Sequence, residues 1–159
     1  MVMVFNEKIV DPAELRHVEG KIELYWVYTS GEAGDAFFKK LKDEGKFIAA
    51  RCKKCGHVYF PPRIYCEFDF GETEFVEVSG KGCVKAFAVA NYDTYEKKLE
   101  KPEIYAIIEM DGTDGSIVHL LGEVEPEDVE IGMKVEPVLK PKEEREGRIT
   151  DILYFKPVS

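Results

Sequence analysis

The sequence predicts a mainly β protein: an N-terminal extension with a strand and a helix, a zinc-ribbon-like cysteine module, and a closed β-barrel of OB type. Three observations predict it. Cys52, Cys55 and Cys66 fall within fifteen residues while the fourth cysteine, Cys83, stands apart, a distribution that reads as metal ligation before disulfide pairing. Beyond them the chain breaks into short alternating apolar runs separated by Gly and Pro, the texture of a small antiparallel barrel. Ahead of them lies a stretch with helical periodicity. The expected division is 1–45 for the extension, 46–72 for the cysteine module and 73–159 for the barrel.

The extension begins with two apolar stretches, Val2 to Phe5 and Ile22 to Tyr28. In the second, Ile22, Leu24 and Trp26 share one face of a strand while Tyr25 and Val27 make the other face apolar, so the strand needs cover on both sides. A helix follows from Glu32 to Glu44. Ser30 stands at its N-cap, Phe37, Phe38 and Leu41 form its apolar stripe, and Gly45 supplies the left-handed stop.

Past the cysteines the expected strands are Thr73 to Val78, Cys83 to Tyr95, Glu103 to Met110, Ser116 to Val124, Lys134 to Leu139 and Ile149 to Phe155. The glycines of Asp111 to Gly115 mark a hairpin between two of them. Pro126 to Ile131 is the place for a short helix or loop, and Lys140 to Gly147, with six charges, reads as a solvated mobile loop. Cys83 follows Gly80-Lys-Gly82 at a strand head and is expected to pack in the core. His119 sits in an alternating strand and is expected to be a barrel side chain.

Composition excludes several classes. Uncharged apolar stretches such as Ile48 to Ala50 and Tyr105 to Ile108 run only a few residues, far short of the ~20 residues of a membrane span, and the N-terminus lacks a basic flank before an apolar run. A soluble cytoplasmic protein is expected. The net charge of −9 is uneven: Lys39 to Arg63 carry eight Lys or Arg against two acids, whereas 64–159 carry eleven against twenty-two. The cationic patch therefore sits on the cysteine module and the barrel is acidic. The chain has no Gln, two Asn and abundant Lys and Glu, a bias of proteins from hot habitats.

Cys52-Lys-Lys-Cys55-Gly-His is a knuckle in which Gly56 frees the tight turn that points both sulfurs at one ion. Cys66 returns across Val58 to Arg63, a length suited to a short hairpin arm. A structural zinc ribbon closes its tetrahedron with a donor two residues on, and that place is Asp69. His57 and Cys83 compete for the fourth position, and a metal-free ribbon held by its apolar residues is the remaining alternative.

An ordered set of motifs then carries a resemblance: Gly31-Glu-Ala-Gly-Asp-Ala-Phe37, Cys52-Lys-Lys-Cys55-Gly, Tyr59-Phe-Pro-Pro-Arg63 with Cys66, Gly80-Lys-Gly82, Glu130-Ile-Gly-Met-Lys-Val135 and Asp151-Ile-Leu-Tyr-Phe155. From about residue 30 to the end the chain resembles the domain-of-unknown-function thirty-five family. The resemblance implies a helical lead-in, a rubredoxin-like zinc ribbon and an OB-fold, associated with acyl-CoA chemistry. It implies a structural zinc on Cys52, Cys55 and Cys66, with Asp69 where the pattern usually has cysteine. It also implies partners: archaeal members resemble the small subunit joining an acetoacetyl-CoA thiolase to hydroxymethylglutaryl-CoA synthase in the mevalonate pathway. There the small protein is a non-catalytic scaffold that helps the enzymes share a CoA site and pass acetoacetyl-CoA between them.

Read from its residues alone, the chain shows no phosphate loop or nucleophile elbow. Its histidines, His17, His57 and His119, have no spacing that pairs them with a nucleophile. An accessory role is expected over catalysis. Arg51, Lys53, Lys54 and Arg63 are candidates for contact with CoA phosphates or with a partner. The alternative is a single-stranded nucleic-acid-binding protein that uses the same cations with Tyr59 and Phe60, against which stands the repulsion between an acidic barrel and a phosphate backbone.

Overall fold

The computed structural model describes residues 25–158. Helix α1 (Gly31–Glu44) leads into a three-stranded antiparallel sheet of β1 (Phe47–Cys52), β2 (Val58–Tyr59) and β3 (Thr73–Val78), in the order β2-β1-β3. Strands β4 (Gly82–Tyr92), β5 (Lys98–Met110), β6 (Ser116–Leu121), β7 (Lys134–Leu139) and β8 (Ile152–Pro157) close a barrel in the order β4-β5-β6-β8-β7. The fold is mainly β, a zinc-ribbon module followed by an OB-fold, with one helix near the N-terminal end of the described residues.

The helix forms where its apolar stripe demands. Ala33, Phe37 and Leu41 recur at i, i+4, i+8 and are its buried residues, one face turned to the core. Gly45 adopts φ 69°, and its N–H reaches Leu41 O at 2.9 Å, closing the last turn. Ser30 occupies the N-cap position but makes no side-chain cap bond. Its backbone is already helical (φ −71°, ψ −9°), whereas a capping hydroxyl is aimed by extended backbone. Thr29 Oγ1 instead accepts the Gly31 N–H at 3.2 Å.

One core runs through helix, ribbon and barrel. Phe37 of α1, Phe47 of β1 and Phe60, just past β2, pack ring to ring with centroids 5.7–6.4 Å apart. Inside the barrel Val84, Ile108, Met110, Val135, Ile152 and Phe155 are essentially inaccessible, each worth about 1.5–3 kcal/mol of burial. The tip of the β5–β6 hairpin docks on the ribbon: Asp114 N–H donates to Val58 O (2.8 Å), and Val58 N–H donates to Asp114 Oδ2 (2.9 Å). Gly115 lies so close to Phe60 that an added Cβ would meet the Phe60 carbonyl oxygen at 2.1 Å. Gly115→Ala should therefore separate hairpin and ribbon at a cost of about 2–3 kcal/mol, read as a lower urea midpoint at unchanged slope.

Several expectations need correction. Thr73–Val78, expected to open the barrel, pairs with β1 along its whole length, Phe47↔Val78 to Cys52↔Thr73. Its Val76 and Val78 pack against the common core from the ribbon side, which satisfies the strand without barrel partners. Cys83 does not join the core. Period-2 alternation turns Gly82 and Val84 inward, leaving Cys83 half-buried beside Glu109 and Lys134. The loop 140–147 is not a bare solvated segment, because the Glu146 and Gly147 N–H groups bond the Asp151 carboxylate and Arg145 Nε bonds Lys140 O. His119, paired with buried Ala106 and edge-on to Phe155 at 5.7 Å, is a barrel side chain, held neutral at pH 7 by burial that lowers its pKa.

Of the extension's apolar stretches, Val2 to Phe5 and 21–24 lie outside the described residues, as does His17. Residues 25–30 have no regular structure, so the strand expected through Tyr28 is not formed there. Trp26, Val27 and Tyr28 are exposed, the Trp26 and Tyr28 rings stacking on each other at 6.4 Å. No strand among the described residues pairs with them, and a strand apolar on both faces has no reason to form without cover.

Candidate metal centre

Antiparallel pairing of β1 with β2 (Ala50↔Tyr59, Arg51↔Val58) folds the knuckle back on itself and delivers Cys52 and Cys55 to one end of the ribbon. Gly56, at φ 78°, makes the turn, and its N–H donates to Cys52 O at 3.1 Å. Cys66 arrives on a second tight turn, where Phe70 N–H donates to Cys66 O (3.1 Å) and Cys66 N–H to Gly71 O (2.9 Å). That turn also carries Asp69. Cys52 and Cys66 are buried, Asp69 is half-buried and Cys55 is exposed.

Donor atoms of Cys52, Cys55, Cys66 and Asp69 all lie within 4.8 Å of one another. Cys55 Sγ is 3.6 Å from Cys66 Sγ, and Cys52 Sγ is 3.5 Å from both Asp69 carboxylate oxygens. A tetrahedron built on Zn–S bonds of about 2.3 Å has S···S edges of about 3.8 Å, and S···O edges slightly shorter. The donor set therefore fits one tetrahedral ion. The Lys54 and Cys55 N–H groups point at Cys52 Sγ (3.4 and 3.5 Å), stabilising negative charge on that sulfur.

The acidities within the cluster diverge. Asp69 Oδ1 accepts the Gly71 N–H at 2.8 Å; this bond, with the Cys66 and Cys52 thiols and the Lys54 charge, outweighs burial and holds the carboxyl below its ordinary pKa. Cys66 is desolvated, yet hydrogen bonds from Tyr59, the Asp69 and Phe68 backbone and Cys55 bring its thiol below the usual range. Cys55 goes the other way: a backbone bond at His57 pulls it down, but desolvation and the neighbouring Cys52 and Cys66 push it up to about 11. Three sulfurs in contact cannot all carry charge without a counterion, and a divalent ion supplies one.

Both competitors for the fourth position are engaged elsewhere. His57 Nδ1 lies 3.3 Å from Asp114 Oδ2, with its ring against Tyr59 and Phe68. Cys83 is on the barrel, opposite Glu109 and Lys134. The cationic candidates separate as well. Lys53 pairs with Glu72 (2.9 Å), and Arg63 pairs with Glu67 (3.0 Å) while its guanidinium covers the Tyr59 ring at 5.3 Å. Arg51 projects from β1 between Val58 and Glu74, and the Lys54 stem runs over Gly71 beside Asp69.

The nucleic-acid alternative needs Tyr59 and Phe60 on the surface, but Phe60 belongs to the core and Tyr59 to the cysteine cluster. The Tyr59 ring is buried, with Ala50, Cys52 and Cys66 as its cluster, and its hydroxyl lies 3.2 Å from Cys66 Sγ. What decides it is the register of β2 on β1, which no local pattern discloses. Pairing Tyr59 with Ala50 puts it on the face that Ala50 shares with Cys52, two residues on.

Residues 40–76 match the ChsH2 rubredoxin-like zinc ribbon domain, and residues 75–140 match the ChsH2 C-terminal OB-fold domain. A Methanocaldococcus jannaschii protein named as a DUF35 domain-containing scaffold protein is 37% identical over 125 residues, covering 76% of this chain and 88% of its own length. The chain belongs to the DUF35 family. A relative of the same name from Methanothermobacter thermautotrophicus is 36% identical over 124 residues, covering 76% of this chain and 92% of its own length. Among solved structures, a DUF35 protein of unknown function from Sulfolobus solfataricus superposes with a TM-score of 0.60 at 25% identity, over 80% of this chain and 84% of its own. The Ltp2–ChsH2(DUF35) aldolase superposes with a TM-score of 0.58 at 25% identity, over 77% and 93%. The zinc-ribbon and OB-fold architecture of this chain is thus that of a DUF35 protein.

Proposed function

We propose that this protein is a non-catalytic scaffold subunit of an acyl-CoA enzyme assembly, and that its partners are an acetoacetyl-CoA thiolase and hydroxymethylglutaryl-CoA synthase. The observation that carries this reading is the 37% identity, across most of both chains, to a relative named as a scaffold protein. Joining the two enzymes makes chemical sense, since condensing two acetyl-CoA molecules is uphill and prompt consumption of acetoacetyl-CoA draws it forward. In this reading the protein works in the cytoplasm; among the described residues no helix is long and apolar enough to cross a membrane.

The metal is structural: zinc held by Cys52, Cys55, Cys66 and Asp69, four protein donors that leave no open position for a substrate. When bound, it would hold the knuckle and the Cys66 turn together. Arg51, Lys53, Lys54 and Arg63 meet a partner or the phosphates of its CoA. The ion pairs Lys53–Glu72 and Arg63–Glu67 lie at the surface, where water and salt screen them, and they exchange readily for a phosphate.

Two surfaces favour protein partners over nucleic acid. An OB barrel binds oligonucleotides on the face of its second and third strands, here β5 and β6. On that face Tyr105 pairs with Leu120 and Ile107 with Val118. A groove of ≈ 390 Å³ runs on from Tyr105, Val118 and Leu120 to Ile149 and Leu153, and none of these residues is a lysine or arginine. Trp26 and Tyr28 expose a second apolar surface ahead of α1. The expected outcome is that tagged protein retains the thiolase and the synthase from native lysate after nuclease treatment, and that Arg51→Glu with Lys54→Glu weakens retention at least about tenfold. Recovery of RNA with neither enzyme would overturn the scaffold reading.

A further inference from the structure

We propose that Tyr59 is a positioning residue for the metal, donating its hydroxyl proton to the Cys66 thiolate and so setting the direction and electron density of that ligand. The proton's direction follows from the neighbours. A phenol has one proton to donate and lone pairs to accept with. Glu67 N–H already donates to Tyr59 Oη at 3.1 Å, leaving the phenol's own proton for Cys66 Sγ at 3.2 Å. A sulfur that ligates a cation has lost its proton and can only accept.

The surroundings fix the phenol rather than merely tolerate it. Tyr59 is 4% exposed. Arg63 lies over its ring at 5.3 Å and the His57 ring lies 4.4 Å away, so the Cα–Oη axis cannot swing. The Glu67 N–H that holds the hydroxyl belongs to the residue after Cys66, so one phenol ties both the ligand sulfur and the backbone that carries it. Partners of this kind, which bond a ligand rather than the ion, commonly alter metal affinity 10–100-fold.

This inference rests on the metal reading, and the test separates the two. In Tyr59→Phe the ring packing survives and only the O–H is lost. The zinc affinity, measured by chelator competition, is expected to fall about tenfold or more. In the cobalt-loaded proteins the sulfur-to-metal charge-transfer band is expected to shift to lower energy, because a thiolate relieved of a hydrogen bond is easier to oxidise. NMR of the cadmium-loaded parent provides a readout that needs no variant: the Tyr59 hydroxyl proton should be slow to exchange and coupled to the ion through Cys66 Sγ. If Tyr59→Phe keeps the parent's affinity and band, or if the hydroxyl proton shows no coupling, the inference is overturned while the metal reading stands. A parent chain that takes up neither zinc nor cobalt overturns both.

Discussion

Cys66→Ser is expected to abolish tight zinc binding and to lower the thermal midpoint by more than about 10 °C. Cys66 is buried, 3.6 Å from Cys55 Sγ, bonded by Tyr59, and set in a turn closed by the backbone of Gly71 and Phe70. The apolar cluster at that end of the ribbon is only Ala50, Cys52, Tyr59 and Cys66, too little to hold two tight turns by burial. A bound ion would take over that work. Structural zinc binds small ribbons with roughly 10–16 kcal/mol of apparent free energy, and whatever exceeds its affinity for the unfolded thiols stabilises the fold. Loss of a few kcal/mol in a chain of this size corresponds to the shift stated.

Asp69→Ala should fall between parent and Cys66→Ser, since three thiolates remain. Metal analysis of the purified proteins, with thermal melts before and after chelation, checks both variants. A Cys66→Ser protein that retains zinc and melts with the parent would remove the metal centre from this account.

The second large effect lies at the far end of the chain. Asp151 is fully buried, and its carboxylate accepts three backbone N–H groups, from Glu146 (3.0 Å), Gly147 (2.7 Å) and Arg148 (3.2 Å), with Lys140 Nζ at 3.9 Å. It folds 140–148 into a tight cap, and Arg145 of that cap lies against Gly45 at the C-terminus of α1, where a positive charge is favourable. Asp151→Ala leaves three donors without an acceptor, and a cost of about 3 kcal/mol or more is expected.

The pH dependence has a definite sign. Burial pushes the Asp151 pKa up, but the three N–H groups and Lys140 outweigh it, so the folded value lies below the ordinary one. The unfolded carboxyl takes up its proton first, near pH 4. The contribution is therefore complete above that range and is lost as pH falls through the folded pKa. Urea midpoints of parent and Asp151→Ala should converge between pH 6 and about pH 3. A gap that is the same at both pH values would show that the carboxylate charge is irrelevant.

Much of the fold was legible because it rests on local periodicity. The Phe37 and Leu41 stripe with Gly45 marked the helix to within one residue at its start. Alternation marked all six strands downstream of the cysteines, with ends moved by a few residues. The clustering of Cys52, Cys55, Cys66 and Asp69 was legible for a similar reason: the knuckle and the Cys66-to-Asp69 turn are local structures, and a carboxylate at the spacing of a missing cysteine stays on the same turn.

The failures share a different cause. That β3 belongs to the ribbon and that Cys83 faces outward are questions of which distant segment lies opposite, as are the partners of His57 and Tyr59, which no expectation named. Periodicity identifies a face without naming what covers it. For Trp26, Val27 and Tyr28 the same limit appears in reverse, since a pattern apolar on both faces calls for a strand partner, and no described strand pairs with them.

By itself, then, the sequence determined the elements, the grouping of three cysteines with a carboxylate, and the family. Those depend on residue type and on separations of a few positions, where backbone geometry leaves few choices. Only the tertiary structure decided that four donors meet at tetrahedral spacing, that a phenol stands behind one of them, and that the hairpin Asp114–Gly115 locks ribbon to barrel. These contacts join residues up to 56 positions apart, and what selects them is the burial of one continuous core from Phe37 to Phe155.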